Sequence, residues 1–255
     1  MSRGKCSYSV LTVEKALDLL EIVSQEPSGC SLLGLSAKLG ISRNKAFRLT
    51  ATLENRGLVV KDEWSGSYHL GIPAVELAQR FLQGTTLIRH AHPVMEVLAR
   101  KHDEAVYMTV LQGDEVLFLD MVDCDRQVKA ASLVGKRFPY FTNASGKAMK
   151  AIDAREMLAK MARGRKKSAL PDLAELEVEL TTIREKGVAI DVEGLGEGII
   201  SVAVAIRDYA GKVIGALTML GPSFRMVASR LDEEIIPSLM EGAEMLSMRF
   251  GYARV

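Results

Sequence analysis

Cysteine is scarce in this 255-residue chain: Cys6, Cys30 and Cys124 are odd in number and far apart. Such a set excludes a disulfide framework, and with no clustered Cys or His spacing it offers no metal signature. No apolar run is long enough to cross a bilayer, and residues 1–10 lack the apolar core of a secretory leader. Internal repeats and low-complexity tracts are missing as well, which sets aside solenoids and disordered linkers. Aromatics make up only 5%, with a single tryptophan, Trp64. What is there, 48% hydrophobic and 25% charged residues, is the composition of a well-cored chain with length for two domains. The expected setting is a reducing cytoplasm, with no membrane partner.

Net charge is only +1, but it is unevenly placed. Residues 36–61 hold six cations (Lys38, Arg43, Lys45, Arg48, Arg56, Lys61) against Glu54, so +5 falls in one short stretch and −4 on the rest. A local basic patch on a near-neutral chain predicts a defined polyanion footprint. The pattern around it is a helix-turn-helix. Val13, Ala16, Leu17, Leu20 and Val23 recur at helical spacing up to Pro27-Ser28-Gly29. Ser31 is placed to cap a helix carrying Leu32, Leu35 and Leu39, which Gly40 stops. Ser42 is placed to cap a third helix with Ala46, Leu49, Thr50 and Leu53 as its buried stripe, ending at Gly57.

That stripe turns Asn44, Arg48, Ala51 and Asn55 outward, with Arg43, Lys45 and Phe47 on the flanks. A recognition helix reads the major groove with its first turns, which nominates Ser42, Arg43, Asn44, Lys45, Phe47 and Arg48, with Arg56 behind them. Arginine bridges the two acceptors of guanine, asparagine pairs with adenine, and an exposed phenylalanine meets a thymine methyl. Cations in the first turn oppose the helix dipole, a mismatch that a nearby phosphate relieves. Residues 58–60 and 67–71 flank a polar tip and read as a hairpin wing. The wing adds Lys61, Ser65, Ser67 and Tyr68 as candidate contacts. Trp64 at its tip stays open, packing back on the linker being the plain alternative.

Residues 72–83 read as a linker helix through Val75, Ala78 and Leu82, so the expected boundaries are 1–71, a linker over 72–86, and a larger α/β domain over 87–255. That domain opens with a helix near 87–102. Strands are expected over 105–111 and 116–122 around Gln112-Gly113-Asp114, and over 128–134. Helices are expected over 146–151, 154–163 and 173–186, strands over 188–192, 199–207 and 213–220, and a last helix over 232–250. The basic run 163–167 reads as a solvated loop. Asn143 can cap a helix whose amides at Ser145 and Gly146 would face a carboxylate. Ile199, Ser201, Ala203 and Ala205 form an unusually small, partly polar strand face beside Thr218 and Leu220. Such a face leaves room for a small ligand, or for a closely packed helix.

Ordered fragments run the length of the chain: Val13-Glu14-Lys15-Ala16-Leu17-Asp18-Leu19-Leu20, Leu39-Gly40-Ile41-Ser42, Arg48-Leu49, Leu53-Glu54-Asn55-Arg56-Gly57-Leu58 and Tyr68-His69-Leu70-Gly71. Further on come Val134-Gly135-Lys136-Arg137-Phe138-Pro139, Asn143-Ala144-Ser145-Gly146-Lys147-Ala148, Gly187-Val188-Ala189-Ile190-Asp191-Val192-Glu193, Ala203-Val204-Ala205-Ile206-Arg207-Asp208 and Gly221-Pro222. In this order and spacing the chain resembles the IclR family of prokaryotic transcriptional regulators over nearly its whole length.

The resemblance implies an α+β fold: an N-terminal winged helix-turn-helix, a helical linker and a C-terminal GAF-like α/β effector-binding domain. It also implies a homo-oligomer, a dimer or dimer of dimers, on near-palindromic operators in double-stranded DNA. By similarity, a small organic acid effector is placed at Ala130, Phe138, Ala144, Ser145, Asp191, Ile199, Ser201, Thr218 and Leu220. Leu220 and Phe138 point to an aromatic or longer-chain acid rather than a small keto acid. Asn44-Lys45 stands where the family usually has Ser-Thr, and Gly34 where it often has Glu, so the operator does not carry over.

Enzyme readings are weak. Ser42-Arg43-Asn44-Lys45 has the Ser-x-x-Lys spacing but none of the companion motifs. Residues 194–198 are glycine-rich with no following helix or Gly-Lys-Ser/Thr end. His90 and His92 are two apart on an expected helix and cannot face one ion together. No enzyme activity, cofactor or metal is expected. The rival classes are a fused catalytic domain and a large domain that only dimerises, the latter marked by DNA affinity that no small molecule alters.

Overall fold

Serine caps and one left-handed glycine set the helices of the N-terminal unit. The computed structural model describes residues 9–153 and 173–253, and the chain divides between Thr85 and Thr86 into two compact units. In the first, α1 spans Leu11–Ser24, α2 Leu32–Leu39 and α3 Arg43–Asn55. The Ser31 side chain accepts the Gly34 amide at 3.1 Å and Ser42 that of Lys45 at 3.3 Å. Each cap satisfies one of the amides a helix start leaves open. Between the helices Gly40 adopts φ 61°, the conformation that ends α2 and makes the tight turn.

Strand β1 (Val59–Lys61) pairs antiparallel with β2 (Tyr68–Leu70), and the backbone of Cys30 exchanges two hydrogen bonds with Tyr68 as a one-residue third strand. Leu19, Val23, Leu35, Leu39, Leu49, Leu53, Val59 and Tyr68 close one core. Burying these side chains is the main term holding three short helices that are too short to persist alone. Helix α4 (Ile72–Gly84) completes the unit.

One helix face differs from the spacing argument. In α1 the buried side chains are Leu19 and Val23, while Val13 and Leu17 are exposed. The helix is apolar on two sides, and packing against α2 and β2 selects the side that carries Leu19.

The second unit is built on a six-stranded sheet in which every neighbouring pair is antiparallel: β3 (Ala105–Gln112), β4 (Glu115–Val122), β5 (Arg137–Pro139), β6 (Ala189–Val192), β7 (Ile199–Arg207) and β8 (Val213–Pro222), in the order β5-β4-β3-β8-β7-β6. Because side chains alternate along a strand, its two faces feed two cores. Val106, Met108, Val202, Val204, Leu217 and Met219 pack with α5 (Thr86–His102) and the final helix, α8 (Ile236–Arg249), which follows a π-helical turn at Leu231–Ile235. Ala105, Tyr107, Ala203, Ala216 and Leu220 face α6 (Ala144–Lys150) and α7 (Leu173–Lys186).

Residues 128–134 do not form the expected strand. Val128 and Val134 are exposed, and the backbone here is held by side chains: Arg225 Nη1 donates to the Val128 carbonyl at 2.8 Å and Lys129 Nζ to that of Cys124 at 3.0 Å. A charged side chain claims the Val128 carbonyl, and backbone bonding to β4 resumes at Gly135 and Lys136, just before β5. The expected helix over 154–163 and the basic run 163–167 lie outside the described residues. Arg225 also grips the buried Glu104 through Nε at 2.6 Å and Nη2 at 2.8 Å, and Arg230 joins it at 3.1 Å.

Candidate nucleic-acid interface and ligand site

Helix α3 buries Ala46, Leu49, Thr50 and Leu53, as its period requires, and Thr50 Oγ1 donates to the Ala46 carbonyl at 2.8 Å. Ser42, Arg43, Asn44, Phe47, Arg48, Asn55 and Arg56 are exposed, and Lys45 is half-buried. Phe47 leaves 53% of its surface in water. Among the described residues Arg43, Arg48 and Arg56 form no ion pair, whereas Lys38 is neutralised by Glu26. Most unpaired cations of the basic stretch therefore lie on α3 or at its end, so it is this helix that chiefly presents positive charge to a polyanion.

The wing is a poorer source of contacts than its sequence suggests. Tyr68 is only 4% exposed: its ring belongs to the core and lies beneath the Lys61 ammonium, 6.0 Å from the centroid. It is thus corrected from a candidate contact to a core residue. Ser67 is half-buried, and its amide donates to Ser65 Oγ at 3.2 Å. Lys61 and Ser65 remain exposed.

The nine residues of the expected ligand site do come together. Register puts Ala105, Leu220, Ser201 and Asp191 in one row across four strands and Tyr107, Thr218, Ala203 and Ala189 in the next. Above this face sits α6, whose Ser145 Oγ meets Thr218 Oγ1 at 2.9 Å. Ala144 and Leu220 are buried in the apolar cluster here, and Ala130, Phe138 and Ile199 pack against it. Tyr107, Phe118 and Phe138 form an edge-to-face series with centroids 5.3 and 5.6 Å apart, an aromatic wall.

Asp191 is buried and firmly held. Lys147 Nζ donates to its Oδ1 at 2.8 Å and to Glu179 Oε1 at 2.8 Å, while the Gly194 amide donates to its Oδ2 at 3.0 Å. Burial opposes the Lys147 charge, but the two carboxylates outweigh it and hold the ammonium above its ordinary 10.5. A Cβ on Gly194 would stand 1.9 Å from the Thr142 carbonyl and 2.1 Å from Asp191 Oδ2, so only glycine admits this approach.

Two outcomes depart from the sequence reading. The Gly146 amide is taken by Asn143 Oδ1 at 3.0 Å, so the start of α6 does not offer the free pair of amides expected for a carboxylate. Spacing also gave no sign of Tyr107 or Lys147. The Tyr107 hydroxyl is buried, and like Ser201 Oγ it makes no hydrogen bond among the described residues. Burial pushes the phenol up to about 12, against the opposing pull of the nearby Leu133 amide. It is therefore a proton donor at any physiological pH. A signal existed in the alternation of Ala105 and Tyr107, but it becomes legible only once the pairing of β3 with β8 is known.

A cation-edged recognition helix with a wing in one unit, and a sheet face bearing converged polar groups in the other, define a helix-turn-helix transcriptional regulator. Residues 12–63 match the IclR helix-turn-helix domain, and residues 79–248 match the bacterial transcriptional regulator IclR C-terminal domain. The chain belongs to the IclR family and binds DNA. It is 29% identical over 252 residues to the HTH-type transcriptional regulator BhcR of Paracoccus denitrificans, covering 97% of this chain and 89% of that one. It is 28% identical over 249 residues to KdgR of Escherichia coli, covering 96% and 94%. The Thermotoga maritima IclR crystal structure superposes with a TM-score of 0.75 at 25% identity, covering 95% of this chain and 99% of that one. An IclR homologue from Microbacterium hydrocarbonoxydans complexed with 4-hydroxybenzoate shares the fold, with a TM-score of 0.79 at 21% identity over 95% and 100% of the two chains. No described helix is long and apolar enough to cross a membrane.

Proposed function

We propose that this protein is a regulator whose operator affinity is set by a small organic acid bound on the α6 face of the C-terminal sheet. The observation that carries the reading is a pair of buried hydroxyls, Tyr107 and Ser201, with no hydrogen-bond partner among the described residues, on the face that also holds Ser145, Thr218 and Asp191. Buried polar groups are nearly always satisfied, so two orphans on one face are positioned for a ligand's polar atoms. The aromatic wall and Leu220 favour an aromatic or longer-chain acid, and the complex of the Microbacterium IclR homologue with 4-hydroxybenzoate supports this reading.

Ser42, Arg43, Asn44, Lys45, Phe47 and Arg48 would read or grip one half-site, with Arg56, Lys61 and Ser65 on flanking phosphates. The exposed apolar residues Val13 and Leu17 on α1, and Ile72 and Val75 on α4, would meet a second copy, matching a two-fold protein to a near-palindromic operator. The acid acts only by binding one DNA-affinity state better than the other, and coupling of about 1–3 kcal/mol changes operator affinity roughly 5- to 150-fold.

Thermal-shift screening of organic acids, followed by operator titration with and without the hits, tests this. An acid at about a hundred times its Kd should stabilise the protein by about 2.7 kcal/mol. Stabilisation by glyoxylate or pyruvate and by no aromatic acid would reject the ligand class. Operator affinity that no acid shifts would leave a large domain that only dimerises. Arg48→Ala should weaken specific binding by about 1–3 kcal/mol if the guanidinium reads a base. Equal loss on random duplex would make Arg48 a phosphate anchor instead.

A further inference from the structure

The wing carries one large side chain that the reading above leaves without a role. Trp64, at its apex, is 100% exposed, so it does not pack back on the linker helix. It is presented by a closed turn. Asp62 Oδ1 accepts the amides of Trp64 at 2.7 Å and Ser65 at 3.0 Å, Gly66 at φ 68° donates to the Asp62 carbonyl, and the Asp62 amide donates to Ser67. Those two amides hold the Asp62 carboxyl below the usual range, so the turn stays locked at physiological pH. An indole displayed on a pre-formed tip loses little freedom when it is covered, which is the economical way to offer a contact.

The charges nearby say what kind of contact this is. Lys61 is outnumbered by Asp62 and Glu63, and its ammonium already lies over the Tyr68 ring. Unlike α3, the tip has no surplus of positive charge for gripping phosphates. What it offers is a flat apolar ring with one N–H donor. The wing is continuous with the cationic helix: the Leu58 amide donates to the Leu53 carbonyl at the end of α3, and Val59 lies in the same core as Leu49 and Leu53. A partner lying along α3 is therefore the partner that the tip meets.

We propose that Trp64 is an apolar wedge that the wing inserts into the minor groove beside the half-site read by α3. Apolar side chains in that groove part a base step and kink the duplex, and an indole stacks on whichever base it meets. The preferred step is a pyrimidine–purine step, which unstacks most easily, so the wedge adds sequence preference at a position no polar contact reads. The inference rests on α3 being the DNA-reading helix.

Trp64 is the chain's single tryptophan, so native indole emission reports on this residue alone. The probe is a duplex enriched from a random pool by the purified full-length protein, with binding followed separately by anisotropy of an end label. The expected result is strong indole quenching and loss of acrylamide access, both saturating with the anisotropy. The enriched sequences should share a TA or CA/TG step at a fixed distance from the half-site. Trp64→Ala should lower affinity for this duplex about tenfold, with an unchanged thermal melt. Trp64→Phe should keep most of the affinity, and Trp64→Lys should not restore the step preference. Full binding with emission and acrylamide access unchanged would overturn the wedge and leave the DNA assignment standing. No binding to any duplex at low salt would overturn the role of α3 and the wedge with it.

Discussion

Arg225→Ala is expected to destabilise the C-terminal unit by about 3–5 kcal/mol, the cost of leaving a buried carboxylate without its main cation. Glu104 is 1% exposed and takes two charge-assisted bonds from Arg225, while Arg230 supplies only one. The same guanidinium holds the Val128 carbonyl, so the substitution also frees the segment beside β4. Calorimetry should register a fall of roughly 10 °C in the melting of this unit. Adding Glu104→Gln should recover part of the loss, because no charge is then stranded. A single mutant that melts with the wild type would show that the pair is dispensable.

Lys147→Met should be nearly as damaging and should act on ligand response too. It removes the cation from between Asp191 and Glu179 while keeping an unbranched stem out to the ε position, leaving Asp191, among the described residues, with the Gly194 amide. A loss of about 3 kcal/mol is expected, together with weaker stabilisation by any acid that protects the wild type. The pH dependence has a definite sign. A lysine raised above 10.5 in the folded protein contributes its full stability below that value and loses it as the pH climbs through the raised one. Urea midpoints of wild type and mutant should therefore differ by a constant amount through neutral pH and converge in strong alkali. A gap that closes near pH 7 would mean that another group governs it.

The N-terminal unit was largely legible because its signals are local. Ser31, Gly40 and Ser42 mark helix ends within three residues of the atoms they contact, and the stripe Ala46, Leu49, Thr50, Leu53 follows from helical period alone. Where two stripes competed, as on α1, period could not choose between Leu17 and Leu19, because the choice belongs to the neighbouring helix. Tyr68 misled because an aromatic on a wing reads equally as contact or core, and only the bonds to Cys30 decide.

In the C-terminal unit the small face of β7 and the hydroxyl on β8 were visible as alternation. The partners Lys147 and Glu179 were not, since they come from two helices separate from the strand that carries Asp191, and the Gly194 amide reaches Asp191 through a local turn that alternation does not reveal. Valine-rich residues 128–134 looked like a strand because propensity does not register that Arg225, nearly a hundred residues on, takes the carbonyl at Val128.

That segment leaves the C-terminal unit with a wall that is buttoned rather than woven. Leu133 anchors it in the apolar cluster and Phe118 accepts the Gly135 amide, while between Asp123 and Val134 many of its fastenings are arginine and lysine side chains. Undoing them breaks no rung of the antiparallel ladder. Local opening here is therefore expected to cost less than global unfolding, with the sheet left whole.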